Sequence, residues 1–78
     1  MERERMKEIE AMQMRKDLER LKEYGFTDYS ISKYVGIKSN QTVREFYEQQ
    51  DRMLQDKNHV ALKDWIEETI QTIDNLET

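Results

Sequence analysis

Side chains that could carry covalent or metal chemistry are scarce in this chain of 78 residues. The sequence has no cysteine and a single histidine, His59, which excludes a thiolate site and a histidine-based metal cluster. The neighbouring carboxylates Glu67 and Glu68 have no base, nucleophile or metal ligand beside them, a pattern typical of a solvated acidic run. We therefore predict no catalytic residue, no metal site, no cofactor and no enzymatic activity.

Composition and charge narrow the class of protein further. Charged residues make up 38% of the chain, hydrophobic residues 36%, and the counts of glycine and proline are 2 and 0. A turn-rich β-sandwich or barrel needs turn residues far more often than this. The formal net charge is −4, and the segment 66–78 holds four acids and no base. This acidic stretch predicts either a solvated face or a contact surface for a basic partner.

No segment of the sequence has the pattern of a membrane span or a secretory signal. No apolar run approaches the roughly 18–20 residues that cross a bilayer. The opening MERERMKEIE is charged where a secretory signal is apolar. We therefore expect a cytoplasmic protein with no membrane contact.

The elements that would position binding side chains are helices, because apolar residues recur at helical spacing. Ala11, Met14, Leu18 and Leu21 follow one another every three or four residues and form one apolar stripe. The pattern predicts an all-α fold, a single small four-helix domain over 1–78 with long first and last helices. The predicted elements are a first helix to about residue 24 with a lead-in over 1–10 that can fray, a second over 28–35, a third from 39 or 40 to about 55, and a last over 58–76.

Local signals mark the helix boundaries in the middle of the chain. Gly25 and Gly36 suit the left-handed position that follows a helix, and Phe26 can fold back on Leu21 beside the first of them. Thr27 is a good N-cap for the helix between the two glycines. These boundaries are therefore specified by residues close to them.

The segment 27–50 has the residue pattern of a helix-turn-helix. That motif needs apolar residues in its first helix and a small residue where the two helices cross closely. It also needs a glycine at the sharp turn and apolar anchors around the start of its second helix. These positions are filled, in order, by Ile31, Ser32, Val35, Gly36, Ile37, Val43 and Phe46.

On these residues the chain, over about 14–50, resembles the helix-turn-helix domains of the Cro and lambda-repressor superfamily, the Xre-like regulators. The sequence departs from the family pattern in three places. The turn is one residue longer than usual, since the apolar anchor falls at Val43, and Ser32 replaces the usual alanine. Asp28 stands where the family often has a glutamine that contacts phosphate, and an acid there would repel DNA.

The resemblance implies that the helix starting near Asn40 enters the major groove of double-stranded DNA. Its outward residues near the helix start would then read base edges. Amide side chains can pair bidentately with adenine, and arginine with guanine. The candidates that point away from the Val43 and Phe46 face are Asn40, Gln41, Thr42 and Arg44.

Side chains around the turn are candidates for phosphate contacts, which position a protein on DNA. These candidates are Lys33, Lys38 and Ser39. Glu45 and Glu48 lie on the same helix and oppose DNA binding, unless Glu45 accepts a hydrogen bond from cytosine or pairs with neighbours of Arg44.

The apolar stripe of the last helix is predicted to form the contact of a homodimer, or of a protein partner. A regulator of this type would bind as a dimer to two half-sites about one helical turn apart. The predicted interface residues are Leu62, Trp65, Ile66, Ile70 and Ile73.

Three functions are compatible with these patterns. The first is a sequence-specific DNA-binding transcriptional regulator of the small phage or mobile-element type. The second is a protein-binding adaptor or inhibitor on the same fold, which uses the acidic last helix and does not bind DNA. The third is a structural module in which 1–24 joins an oligomer. It ranks last, because only about two heptads fit in this segment.

The remaining notable side chains are expected to be structural. His59 is expected to be exposed near a helix start. The tyrosines that surround the motif are expected to pack at its buried rim: Tyr24, Tyr29, Tyr34 and Tyr47.

Overall fold

The computed structural model describes residues 2–77, with side chains from Arg5 onwards, and this part of the chain is all-α. Its four helices are α1 (Glu2–Glu23), α2 (Asp28–Val35), α3 (Asn40–Glu48) and α4 (Asp56–Glu77). No strand occurs between residues 2 and 77. The predicted fold class is therefore confirmed, with long first and last helices. The predicted lead-in is continuous with α1, apart from Met1, which lies outside the described residues.

The boundaries of α2 match the local signals in the sequence. The Thr27 side chain accepts a hydrogen bond from the Ser30 backbone N–H, and the Ser30 hydroxyl accepts one from the Thr27 N–H. This reciprocal pair is a capping box that satisfies the start of α2. At the other end, Gly36 has φ of 87° and closes the helix in the left-handed conformation. The predicted span of 28–35 is confirmed.

α1 and α4 lie side by side and run in the same direction. Towards their N-terminal ends, Nζ of Lys7 lies 2.8 Å from Oδ1 of Asp56. Towards their C-terminal ends, Nη2 of Arg20 lies 2.6 Å from Oδ1 of Asp74, and this hydrogen bond raises the pKa of Arg20. α2 and α3 pack on each other, with α2 also contacting α4 and α3 also contacting α1.

One hydrophobic core joins all four helices. The apolar stripe predicted on α1 is buried in it, which fixes the face that α1 turns towards the other helices. Within residues 2–77, no helix combines the length and the apolar character that crossing a membrane requires. The buried core residues are Ala11, Met14, Leu18, Leu21, Ile31, Ile37, Val43, Phe46, Leu54, Leu62, Ile66 and Ile73.

The prediction that the third helix continues to about residue 55 is wrong, because α3 ends at Glu48. Arg15 of α1 binds carbonyls that the helix end leaves free: its Nε donates to the Phe46 oxygen at 2.7 Å, and its Nη2 to the Gln49 oxygen at 3.2 Å. Leu54 prolongs the apolar pattern in the sequence, but it reaches the core from the loop after α3. Leu54 therefore packs in the core without being part of α3.

Three of the five residues predicted for a dimer or partner contact on α4 are buried in the chain's own core, so they are not available for that contact. Leu62, Ile66 and Ile73 are buried within the single chain, and Trp65 and Ile70 are partly buried against the same core. A small domain needs this stripe to close its own core, so the three buried side chains are already covered. Self-association stays a prediction, and on this face only Trp65 and Ile70 keep surface for a contact.

His59 is buried between α1 and α4, contrary to the expectation that it is exposed. Its Nε2 lies 3.1 Å from Oε1 of Glu10, and this hydrogen bond lowers the pKa of Glu10. Nζ of Lys63 lies 3.5 Å from the other oxygen of the same carboxylate. A partner on α1, forty-nine positions away, allows a polar ring to be buried at the start of α4.

Three of the tyrosines are also placed differently from the expectation. Tyr24, Tyr29 and Tyr34 are exposed, at 51%, 61% and 67% of their surface, whereas Tyr47 is half-buried. The Tyr34 ring stacks on the ring of Trp65, with centroids 5.9 Å apart and planes at 11°. Apolar side chains of α2 already fill its inner face, so its tyrosines lie on the outer surface.

Candidate nucleic-acid interface

α2 and α3 form a closely packed pair joined by residues 36–39. The backbone N–H groups of Gly36 and Ile37 both donate to the carbonyl of Ser32, at 2.9 Å each. This double contact turns the chain sharply away from the axis of α2. Ser32 is buried on α2, and Val43 is buried on the core side of α3. The glycine at the turn and the burial of Val43 agree with the sequence pattern.

The first turns of α3 place two of the predicted reading side chains towards solvent. Gln41 and Arg44 are exposed, on the side of α3 opposite the buried Val43 and Phe46. Asn40 is exposed at the start of the same helix. An amide and a guanidinium group are therefore available together on one short surface.

Thr42 does not share that outward surface, which corrects its prediction as an outward side chain. It is half-buried and lines a cleft of about 270 Å³ between α3 and the loop that follows it. The cleft exists because the chain folds back beside α3 after Glu48, instead of continuing as helix.

Acidic side chains on α3 are partly neutralised by neighbours. Oε1 of Glu45 accepts a hydrogen bond from Nε2 of Gln41 at 3.2 Å, and its Oε2 lies 2.9 Å from Nη2 of Arg52. The amide of Gln41 is thereby oriented along the helix. Glu48 is exposed one turn later and makes no hydrogen bond or ion pair within residues 5–77. It remains an unneutralised negative charge at the far end of α3.

Asp28 lies in a chain of charged contacts that joins α1, α2 and α3. Its Oδ1 is 2.6 Å from Nζ of Lys22, and its Oδ2 is 3.5 Å from Nε of Arg44. Nζ of Lys22 also lies 4.6 Å from the centroid of the Tyr47 ring. The acid that the sequence suggested would repel DNA is therefore paired with two cations, and its side chain is only 15% exposed. The signal for this pairing is absent from α2 itself, because both partners lie on other helices.

The candidate phosphate-binding side chains are all exposed around the turn. Lys33 lies on the outer face of α2, with its Nζ 3.4 Å from the hydroxyl of Tyr29. Lys38 makes no hydrogen bond or ion pair within residues 5–77. Ser39 is the N-cap of α3, but its side chain makes no capping hydrogen bond. Lys38 and Ser39 are therefore exposed beside the start of α3, whereas Lys33 lies on α2 against Tyr29.

Arg15 is a residue that the sequence did not single out, although it holds the end of this surface in place. Its guanidinium lies 4.4 Å from the centroid of the Phe46 ring as well as on the nearby carbonyls. Desolvation by the surrounding residues lowers its pKa. In the sequence Arg15 is simply a polar residue beside an apolar stripe, so nothing local indicates its long-range role.

The rest of the surface offers no metal centre between residues 5 and 77. No three His, Asp or Glu side chains are grouped as metal ligands in the part of the chain that the structure describes. A cleft of about 540 Å³ lies between α1 and the end of α3, lined by residues that include Met12, Lys16 and Glu48.

The chain matches no known protein-family model, no curated protein and no solved structure. No relative therefore assigns a role to any of its residues. What indicates a function is therefore the arrangement of exposed side chains on α2 and α3.

Proposed function

We propose that the protein is a sequence-specific DNA-binding regulator in which α2 and α3 act as a helix-turn-helix and α3 enters the major groove. The observation that carries the proposal is the exposure of Gln41 and Arg44 on the outer side of α3, opposite the buried Val43 and Phe46. A recognition helix contacts base edges with residues near its N-terminus. Both exposed side chains lie within the first five residues of α3.

The charge of this surface is consistent with modest affinity that depends on salt. Residues 28–48 contain three acids and three bases, so the surface has no net charge. Asp28 is paired with Lys22 and Arg44, which reduces its repulsion of phosphate. Lys33 and Lys38 can each replace a counterion on the DNA. We expect few phosphate contacts, and therefore binding that weakens only gradually as salt rises.

Selection from random duplex DNA at low salt tests this proposal. We expect the purified protein to enrich one motif, which Gln41→Ala and Arg44→Ala each weaken at specific positions. Lys57→Ala is the matched control, because Lys57 is an exposed base at the start of α4, away from α3. A motif with two-fold symmetry would indicate a dimer. Failure to retain any duplex at low salt would reject DNA binding.

A protein-binding adaptor is the second candidate, favoured by one surface of α2 and α4. Tyr24 and Tyr34 are exposed and line a cleft of about 240 Å³, and the Tyr34 ring stacks on Trp65. Tyrosine and tryptophan are enriched at the centres of protein interfaces. This surface lies on the flank of α2 that faces α4.

The acidic character of α4 gives this second candidate less support than the sequence suggested. Oε1 of Glu67 lies 2.8 Å from Nζ of Lys63. Asp74 and Glu77 both contact Arg20, at 2.6 and 3.5 Å. An adaptor that uses this face would lose binding to its partner on Tyr34→Ala. Charge reversal at Glu67 would alter that binding little.

A further inference from the structure

We infer that Asp28 is a positioning residue for Arg44, and that the pair gives the reading surface a preference for guanine at one position. This inference rests on the proposed DNA-binding function and names the base that the surface would select. The observation behind it is the pairing of the Asp28 carboxylate with both Lys22 and Arg44.

The carboxylate of Asp28 is fixed from its inner side. Nζ of Lys22 is 2.6 Å from Oδ1, and the side chains of Lys22 and Asp28 are only 25% and 15% exposed. Nζ of Lys22 is itself held 4.6 Å from the centroid of the Tyr47 ring on α3. Because one oxygen is occupied on the inner side, the other is left facing Arg44. The carboxylate is thus a fixed acceptor beside the first turns of α3.

Arg44 meets this acceptor with one particular nitrogen. Its Nε lies 3.5 Å from Oδ2 of Asp28, while the side chain as a whole is 52% exposed. A guanidinium group has five N–H donors in a rigid plane, and Nε supplies one of them. The end of the fork, with one N–H on each terminal nitrogen, therefore stays available to another acceptor. Arg52 differs, since it contacts Glu45 through a terminal nitrogen.

An arginine held through Nε matches guanine better than the other bases. Guanine presents two acceptors, O6 and N7, side by side in the major groove, and a terminal arginine fork donates to both. Adenine offers one acceptor beside a donor, so the second N–H of the fork has no partner there. Restricting the rotation of the side chain before binding also lowers the ordering cost of the contact. Asp28 therefore favours guanine over adenine, although its own charge opposes binding to any DNA.

The test measures dissociation constants for the selected duplex and for its single-base variants, by fluorescence anisotropy at fixed low salt. For the wild type we expect guanine to be preferred at one position by roughly 5- to 150-fold. Arg44→Lys should abolish that preference, because lysine is a point charge without a planar fork. Its site is exposed, so the fold should tolerate the change.

Asp28→Asn gives a signature that a damaged fold would not produce. Removing one negative charge should strengthen binding to every sequence, while the preference for guanine at that position falls several-fold. Asp28→Ser repeats the test with a residue that suits a helix start but has no carboxylate. Lys38→Ala is the matched control, since it should weaken binding to all sequences equally and leave the preference unchanged.

The outcomes separate this inference from the function on which it rests. Full retention of the guanine preference in both Asp28 variants, or an equal effect of Arg44→Lys on all duplexes, would overturn the inference while DNA binding stands. Failure of the wild type to select any motif would overturn the proposed function and this inference with it.

Discussion

Three backbone carbonyls, one in the last turn of α3 and two in the loop that follows it, converge on one side chain of α1. The Arg15 guanidinium donates to the oxygens of Phe46, Gln49 and Arg52, and it also lies over the Phe46 ring. The last carbonyls of a helix have no partner inside the helix and need one elsewhere. A single planar fork from a neighbouring helix supplies it here, so the end of α3 depends on α1.

Arg15→Lys is expected to destabilise the protein by about 1–3 kcal/mol. The ammonium group cannot reach three separate carbonyls in the guanidinium geometry, so the part-buried Phe46 carbonyl and the two exposed carbonyls lose donors, together with the contact over the Phe46 ring. Urea denaturation measures the free energy of unfolding. Lys16→Ala is the control, because that exposed neighbour should change stability by no more than about 0.5 kcal/mol. Equal effects of the two changes would contradict the role given to Arg15.

Glu10 should make the stability of the protein depend on pH. Its hydrogen bond with His59 lowers its pKa below the ordinary value of 4.5. A lowered pKa in the folded state gives stability that is present above the unfolded pKa and is lost as pH falls through the folded value. Glu10→Gln should therefore cost about 1 kcal/mol at neutral pH and much less in acid.

Unfolding by urea at several pH values measures this difference. Glu8→Gln is the matched control, since Glu8 is exposed on the same helix and makes no hydrogen bond or ion pair within the described side chains. A stability difference between wild type and Glu10→Gln that did not shrink on acidification would rule out this linkage.

At the scale of elements, the turn between α2 and α3 depends on one backbone conformation. Gly36 has φ of 87°, and a Cβ built there would meet no atom within 4 Å. Any cost of a side chain at this position is therefore backbone strain and not a steric clash with a neighbour. The left-handed conformation costs a residue with a Cβ about 1–2 kcal/mol, and asparagine tolerates it better than most.

Gly36→Ala should consequently destabilise the protein by about 1–2 kcal/mol, and Gly36→Asn by clearly less. Thermal unfolding followed by circular dichroism measures both. DNA binding by the proposed reading surface should survive in the Asn variant, because the turn is retained. If alanine and asparagine cost the same, the left-handed conformation would not be what selects glycine here.

Elements with signals beside them in the sequence could be predicted, and those defined by distant partners could not. Thr27 and Gly36 set both ends of α2 within a few residues, so its span was predictable. The end of α3 depends on Arg15, which is 31 positions from Phe46. The same reason explains the candidate site. Gln41 and Arg44 follow from helix periodicity, whereas the pairing of Asp28 depends on two other helices.

At the scale of the whole molecule, the packing of α4 determines whether its apolar side chains close the core of one chain or contact a second chain. Leu62, Ile66 and Ile73 complete the core of a single chain, whereas Leu76 is 81% exposed near the end of the same helix. A core made within one chain gives a stability that does not depend on protein concentration. An obligate dimer would instead become more stable as concentration rises.

Leu62→Ala is expected to cost about 2–5 kcal/mol, because it leaves a cavity in a closed core. Leu76→Ala, on the exposed side, should change stability by no more than about 0.5 kcal/mol. The midpoint of urea unfolding should be the same at low and high micromolar protein. A midpoint that rises with concentration would instead place the α4 stripe between two chains.

The parallel packing of α1 and α4 has a consequence for how the chain acquires its structure during synthesis. Hydrogen bonds between the two helices join residues 49 to 54 positions apart, while Asp28 and Arg44 are separated by 16. Closing a longer loop costs more entropy, so we expect α2 and α3 to pack on each other before α1 packs against α4. Until α4 leaves the ribosome, the buried stripe of α1 has no complete cover. A nascent chain of this protein should therefore bind a chaperone until its last helix emerges.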